Sequence, residues 1–281
     1  IRKSDYFERN DSWLKILLIY AVILVGCFLT IYPILNVFSV SMRPGSSLYS
    51  TSLAIFPDID KLRWTGIAAS EDGKNVVAAA KRSYIFTSAD QGTTWKELGS
   101  LSTRRGEVDG DLNWESIDMS SDGKTIVAAE EGRRATDKGN IYISTNGGAN
   151  WTLAKSVDAK WNSAVVSAYG KHDYAIAKRR TDGILFHSED GCESWTELTA
   201  AGVKDWTSVA VSADGSKILA SVKDDVVYRS DDAGKKWTAI TALPKAAWTA
   251  VRVNADASKA VAAVEGGSVY VTSDSGKTWI A

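Results

Sequence analysis

Short runs of arginine and lysine recur through the middle of the chain, and their natural chemistry is the recognition of anions. The side chains concerned are Lys81, Arg82, Arg104, Arg105, Arg133, Arg134, Lys178, Arg179 and Arg180. A guanidinium presents several N–H donors in a fixed fork, which matches the geometry of carboxylate and phosphate groups. If these residues converge on one surface, they form a basic patch suited to an acidic protein or glycan. The alternative is that they are solvated turn residues neutralised by nearby acids, namely Glu107, Asp109, Asp111, Glu130, Glu131, Asp137 and Asp182.

The other reactive residue types form no recognisable catalytic or metal-binding pattern. The sequence has no Gly-rich phosphate loop, no Gly-x-Ser-x-Gly elbow, and no spacing that selects a carboxylate pair for glycoside hydrolysis. Cys27 lies in an apolar run and Cys192 in a turn, so we predict neither a disulfide between them nor a cysteine-rich metal site. His172 and His187 fall in one repeat, and we expect their ring nitrogens to be hydrogen-bonded within the protein or to water. We therefore predict no enzyme activity, no cofactor and no metal.

The elements that must position the basic residues are marked by an eight-residue pattern, Ser/Thr-x-Asp-x-Gly-x-x-Trp, which occurs five times. Its acid-or-amide and tryptophan positions are Asp90 and Trp95, Asn146 and Trp151, Asp190 and Trp195, Asp232 and Trp237, and Asp274 and Trp279. These tryptophans are 56, 44, 42 and 42 residues apart. The Asp side chain can cap backbone N–H groups of a turn, Gly permits positive φ, and Trp can pack between neighbouring units. A period near 42 with strand-like flanks predicts β-propeller blades.

Each repeat reads as four antiparallel strands, opened by a tryptophan and an alternating apolar run. The opening residues are Trp64, Trp114, Trp161, Trp206 and Trp248. Asp-Gly turns and strands rich in small residues follow, which is a strong hairpin signal. We predict an all-β propeller of at least five blades over residues 64–281, with blades at about 64–98, 113–154, 160–198, 205–240 and 247–281.

The five octets resemble the Asp box, or BNR repeat, of sialidase-like propellers, sortilin-type receptors and photosystem II assembly-factor propellers. The resemblance implies that the box is a structural turn, neither catalytic nor a dependable metal site. It also implies that function lies on the face opposite the boxes, where photosystem assembly propellers use an arginine-rich surface for partner binding. A sialidase would need an arginine triad and an Arg-Ile-Pro motif, and Arg-Ile-Pro does not occur in this sequence.

The first part of the chain predicts a membrane segment rather than a further blade. No charged residue lies between Ile16 and Met42, and about 20 helical residues cross a bilayer core of about 30 Å. We predict a cytoplasmic segment 1–15, a transmembrane helix 16–42 that contacts the lipid bilayer, and a linker 43–63. Basic residues are more frequent before this span than after it, which places the N-terminus in the cytoplasm and the propeller outside.

Residues 31–49, with Phe56 and Pro57 after them, resemble the first membrane helix and following loop of maltose-type ABC sugar-transporter permeases. The remaining membrane helices and the ATPase-docking loop of such a permease have no counterpart here. The chain begins at Ile1 and ends shortly after Trp279, so we expect a fragment, a processed chain or a fusion, of bacterial character.

The balance of charge restricts the partners. The net charge of −1 over 281 residues gives no general attraction to nucleic acid. We predict a membrane-anchored, extracytoplasmic and non-catalytic binding module for protein or carbohydrate. Two alternatives stay open, a part of a sugar-transporter permease and a sialidase-like glycoside hydrolase.

Overall fold

The computed structural model describes residues 62–98, 100–103, 106–109, 111–132, 138–155, 159–178 and 182–281. Leu62–Ala281 forms one compact unit. Apart from one 3-10 turn at Thr199–Ala201, the regular structure of its described residues is entirely β. The strands are β1 Arg63–Ala69, β2 Val76–Ser83, β3 Ile85–Ser88, β4 Lys96–Leu98, β5 Ser100–Thr103, β6 Gly106–Asp109, β7 Leu112–Met119, β8 Ile126–Glu130, β9 Ile141–Ser144, β10 Thr152–Leu153, β11 Lys160–Val165, β12 Asp173–Lys178, β13 Gly183–Ser188, β14 Thr196–Glu197, β15 Trp206–Val211, β16 Ile218–Asp225, β17 Val227–Ser230, β18 Thr238–Ala239, β19 Ala246–Val253, β20 Ala260–Val264 and β21 Val269–Thr272.

Antiparallel neighbours in sequence make up five blades, one for each copy of the octet. Blade 1 comprises β1–β4, blade 2 β7–β10, blade 3 β11–β14, blade 4 β15–β18 and blade 5 β19–β21. In blade 5 the place of the outermost strand is taken by a single bridge between Val271 and Ile280. The hairpin β5–β6 is inserted between blades 1 and 2.

The first strand of every blade carries the same irregularity. The pairing register shifts between Trp64 and Gly66 in β1, and the same shift follows the opening tryptophan of β7, β11, β15 and β19. A bulge of this kind bends and twists a strand locally. A side chain next to one of these bulges joins two neighbouring blades. Ser116 of blade 2 accepts a hydrogen bond from the backbone N–H of Ala164 in blade 3 at 2.8 Å.

The octets form a repeated turn held by its own side chains. In blade 1 the Ser88 hydroxyl donates to Asp90 Oδ1 at 2.7 Å and accepts from the Gly92 N–H at 2.9 Å, while Asp90 Oδ1 accepts from the Thr94 N–H at 2.8 Å. The same three contacts recur in the other four boxes. The Trp95 indole N–H closes the turn by donating to the Gly92 carbonyl at 2.9 Å.

Tryptophans pack each blade against the blade before it. Trp114 lies in one cluster with Val77 and Ile85 of blade 1, and the opening tryptophans of blades 2 to 5 are all 0% exposed. Trp64, the equivalent residue of blade 1, is 48% exposed, because among the described residues no blade precedes it. The opposite face of blade 5 is also exposed, at Val261, Val269 and Val271. The five described blades therefore leave two apolar blade faces in contact with solvent.

The predicted transmembrane helix 16–42 lies outside the described residues, as does most of the predicted linker 43–63. Within the described part of the chain, no helix has the length and hydropathy needed to span a membrane.

Candidate functional site

The end of β2 presents the first two predicted basic residues. Lys81 pairs with Arg63 of β1 and also with Asn113 of β7, so β2 connects blade 1 to blade 2 at this point. The register shifts between Lys81 and Ser83, and Arg82 between them has a φ of 54°. A non-glycine residue in this left-handed region is uncommon. The result is an exposed Arg82 side chain that forms no ion pair with any described residue.

Lys81 is held by two carboxylates of blade 2. Its ammonium contacts Glu115 of β7 and lies 3.4 Å from the Glu131 carboxylate beyond β8. Glu131 also accepts a hydrogen bond from the Asn113 side-chain amide at 3.3 Å. The positive charge of Lys81 is therefore compensated within the protein, whereas that of Arg82 faces solvent.

Glu115 and Glu131 both contact the Lys81 ammonium, and their pKa values move in opposite directions. Burial raises the pKa of Glu115, and the neighbouring Glu131 adds to the increase against the opposing effect of Lys81. Burial also acts to raise the pKa of Glu131, but the interactions with Glu115 and Lys81 bring it below its usual value. The two acids thus share one ammonium group.

The end of β12 gives a second ion pair of the same kind. Lys178 Nζ lies 2.8 Å from Asp205 Oδ1, at the entry to blade 4. Lys204, the residue before Asp205, stands 4.7 Å above the ring of Tyr228. At this blade boundary the described lysines are therefore engaged by an acid and by an aromatic ring.

Blade 4 repeats the geometry of Arg82 with the opposite charge. Asp224 has a φ of 56°, is exposed, and lies in the register shift between Lys223 and Asp225 where β16 meets β19. The same backbone device thus displays a cation at the end of blade 1 and an anion at the end of blade 4.

Of the nine predicted basic residues, the structure describes three, Lys81, Arg82 and Lys178. The other six, Arg104, Arg105, Arg133, Arg134, Arg179 and Arg180, lie outside the described residues. Glu131 was among the neutralising acids considered from the sequence, but Glu115 and Asp205 were not. Their positions in the repeat could have identified them, because Glu115 directly follows and Asp205 directly precedes the opening tryptophan of a blade.

Blade 3 contains a second group of polar residues that sequence reasoning left unassigned. Cys192 occupies the place of the box glycine with a φ of 67°, and its thiol donates to Asp173 Oδ2 at 3.2 Å. Burial raises the pKa of both groups. The Trp195 indole N–H has no partner among the described residues, whereas the other four box tryptophans donate to the glycine carbonyl.

Five antiparallel units, each with an Asp-box turn and each packed on its neighbour through a tryptophan, define a protein of the β-propeller class. The family model for the BNR repeat-like domain matches residues 68–247, which is more than half of the chain, so the chain belongs to that family. No curated protein sequence matches it significantly.

Solved structures resemble the chain in fold. The Niastella koreensis GH74 enzyme is 19% identical with a TM-score of 0.56 over 82% of this chain, which spans only 34% of that enzyme. The nidogen/laminin complex gives 13% identity and a TM-score of 0.58, covering 78% of both chains. YCF48 bound to D1 peptide gives 13% identity and a TM-score of 0.55, covering 78% of this chain and 68% of that one. Identities this low show the fold alone, and propellers serve many functions.

Proposed function

We propose that the chain is a non-catalytic binding module that captures an anionic partner on the face where β2 and β12 end. The partner is an acidic protein segment, and an acidic glycan is the second partner class that the same chemistry admits. Arg82 is the observation that carries the proposal, because the β2 bulge directs an uncompensated guanidinium to solvent. Arg133, Arg134, Arg179 and Arg180 follow the ends of β8 and β12 in sequence and would extend the same surface.

The arrangement of the acids supports binding rather than hydrolysis. Glycosidases hold their two carboxyl groups about 5–9.5 Å apart, to leave room for the sugar and the water. Glu115 and Glu131 instead both contact the ammonium of Lys81. That contact neutralises two carboxylates that a glycosidase would use as its acid and its nucleophile.

Membrane anchoring is part of the proposal and rests on the sequence. The uncharged run 16–42 is long enough to cross a bilayer, and the basic residues before it favour a cytoplasmic N-terminus. In this arrangement the propeller lies outside the membrane and presents its basic face to extracytoplasmic partners. The proposed localisation is therefore a single-pass membrane protein.

Binding to a defined anionic peptide tests the proposal. The full chain in detergent micelles is titrated with a fluorescent poly-glutamate peptide, and in parallel with chondroitin sulfate. We expect saturable binding that weakens as the ionic strength rises, because exposed charges are screened by salt. Arg82→Ala should weaken binding several-fold, and the combined change of Arg133, Arg134, Arg179 and Arg180 to Ala should weaken it further.

Two controls separate this face from general charge effects. Lys235 and Lys236 are exposed in the box of blade 4, at the other end of the strands, so their replacement by Ala removes two charges and should leave binding intact. Asp224→Ala should leave it intact or strengthen it. Equal binding by the parent and the arginine variants would refute the proposal, and sugar release that Glu115→Gln abolishes would favour the hydrolase alternative.

A further inference from the structure

The two histidines of the chain are neighbours in space. His172 lies in the turn before β12 and His187 lies on β13, and His172 Nδ1 is 3.2 Å from His187 Nε2. The Glu189 carboxylate, in the box turn that follows β13, is 3.9 Å from His187 Nδ1. One ligand atom from each of the three residues lies within 4.8 Å of the others.

The surrounding residues hold both rings in place. His187 is 8% exposed and lies nearly parallel to the ring of Tyr174, with 4.7 Å between the centroids. The Tyr174 hydroxyl donates to the Gly215 carbonyl of blade 4 at 2.9 Å. A Cβ at Gly215 would come within 2.3 Å of His172 Cβ, so the blade 4 turn packs directly on this histidine. Glu189 is exposed and leaves one side of the group open to solvent.

The repeats show that this combination is specific to blade 3. His172 precedes the second strand of blade 3, His187 precedes its box, and Glu189 is the second residue of that box. The equivalent residues are Asn75, Thr87 and Ala89 in blade 1, and Lys217, Arg229 and Asp231 in blade 4. In blade 4 two of these positions form an ordinary ion pair, in which Arg229 lies 2.5 Å from Asp231. Among the described blades, only blade 3 places two imidazoles and a carboxylate there.

Blade 3 departs from the other repeats at two further positions beside this group. Asp173 is fully buried where the second strands of the other blades begin with Val76, Ile126, Ile218 and Ala260. Cys192 replaces the box glycine and donates to Asp173. Histidine, glutamate, aspartate and cysteine side chains are therefore concentrated in the one described repeat whose box lacks the glycine.

We propose that His172, His187 and Glu189 bind one divalent transition-metal ion of the Zn²⁺ class. Two imidazole nitrogens at 2.0–2.1 Å from one tetrahedral ion are about 3.3–3.4 Å apart, which is close to the 3.2 Å between His172 and His187. Two histidines and one carboxylate suit Zn²⁺ and leave a fourth position for water or an external ligand.

Titration with Co²⁺ tests the site directly. The full chain is purified without a polyhistidine tag, placed in detergent micelles and titrated with Co²⁺, whose d–d absorption reports tetrahedral binding, and bound Zn²⁺ is counted after equilibrium dialysis. We expect one ion per chain, displacement of Co²⁺ by Zn²⁺, and an increase in Tm with Zn²⁺ but not with Mg²⁺. Replacing the histidines by the blade 1 residues, His172→Asn with His187→Thr, should abolish binding.

The exposed ligand and the thiols provide the controls. Glu189→Ala introduces the blade 1 residue at an exposed position, so it should keep the fold and weaken Zn²⁺ binding about tenfold or more. Cys27→Ser with Cys192→Gly removes both thiols and should retain one bound ion. The proposal is overturned if the parent shows no saturable Co²⁺ binding, or if Glu189→Ala and the histidine variant bind as the parent does.

Discussion

Single residues decide how neighbouring blades are joined at the innermost strands. Asp118 on β7 accepts a hydrogen bond from the backbone N–H of Val166 in blade 3 at 2.9 Å. Burial raises the pKa of this carboxyl to about 6, although the Val166 N–H and the charge of Arg252 act in the opposite direction. The fold therefore places an acid where only part of its negative charge is compensated, so ionisation of Asp118 destabilises the folded state.

Stability should fall as the pH rises through the range in which Asp118 ionises. The unfolded chain releases this proton near the usual value of 3.8, whereas the folded chain keeps it up to about pH 6, so the loss falls between these two values. In Asp118→Asn this pH dependence should be absent, since the amide oxygen can still accept from Val166. Urea unfolding midpoints of the parent and the variant across this range measure the difference.

Asp122 in the same repeat is the matched control for Asp118. Its pKa is lowered by hydrogen bonds from the Lys124 N–H and the Ser120 hydroxyl, so it contributes stability that is lost as the pH falls below the usual value of 3.8, and Asp122→Asn should leave the profile between 3.8 and 6 unchanged. A constant difference between the parent and Asp118→Asn at all pH values would show that Asp118 titrates normally.

At the scale of the elements, the first strand of each blade is stabilised by the blade before it. Trp161 and Trp64 have the same local partner, an edge-to-face contact with Phe186 at 5.0 Å and with Phe86 at 5.2 Å. Trp161 is nevertheless fully buried, because Val127 and Ile141 of blade 2 cover it, and Trp64 is 48% exposed. The two tryptophans therefore share the phenylalanine contact, whereas Trp161 also packs on Trp195 of its own blade, at 6.4 Å between centroids, and on blade 2.

Replacing each of these two tryptophans by alanine should show how much the contact with the preceding blade adds to stability. Trp161→Ala should lower the free energy of unfolding by about 3–5 kcal/mol, which is typical of a buried aromatic side chain. Trp64→Ala should cost about 1–2 kcal/mol, because less apolar surface is removed from contact. Chemical denaturation of the full chain measures both values. Equal losses would mean that the preceding blade contributes little to the burial of the first strand.

At the scale of the whole described unit, the blades form a row in which each depends on its neighbours. Blades 2, 3 and 4 are covered on both faces, whereas blade 1 exposes Trp64 and Ile67 and blade 5 exposes Val261 and Val269. In such arrays the total stability is approximately the sum of the intrinsic stability of each repeat and the free energy of each interface between neighbouring repeats. The terminal blades therefore have one interface fewer.

Hydrogen exchange should follow this order along the row. We expect the backbone amides of β12, which is almost fully buried, to exchange most slowly, and those of β1 and β21 to exchange first. Native-state exchange followed by peptide mass spectrometry resolves these strands. Equal protection in blades 1, 3 and 5 would indicate that the unit opens only as a whole and would contradict this prediction.

The sequence by itself determined the features that depend on a few adjacent residues. An Asp or Asn with a Ser two residues before it encodes the box turn, as Ser88 and Asp90 do, because all the partners lie within one turn. The opening tryptophans and the period near 42 likewise mark a propeller, since alternation and turns are local properties. From the same signals the BNR-type repeats could be recognised before any coordinates were known.

The tertiary structure alone decided which distant side chains meet. Lys81 and Glu115 are 34 residues apart, and whether a lysine is free or paired depends on the register between β2 and β7. His172 and His187 become neighbours because β12 and β13 pair so that Tyr174 lies opposite His187, and because the blade 4 turn packs on His172. A shift of one residue in that pairing would turn these side chains to opposite faces. Register and packing are collective properties of the folded chain, and for this reason residue spacing did not reveal the two sites.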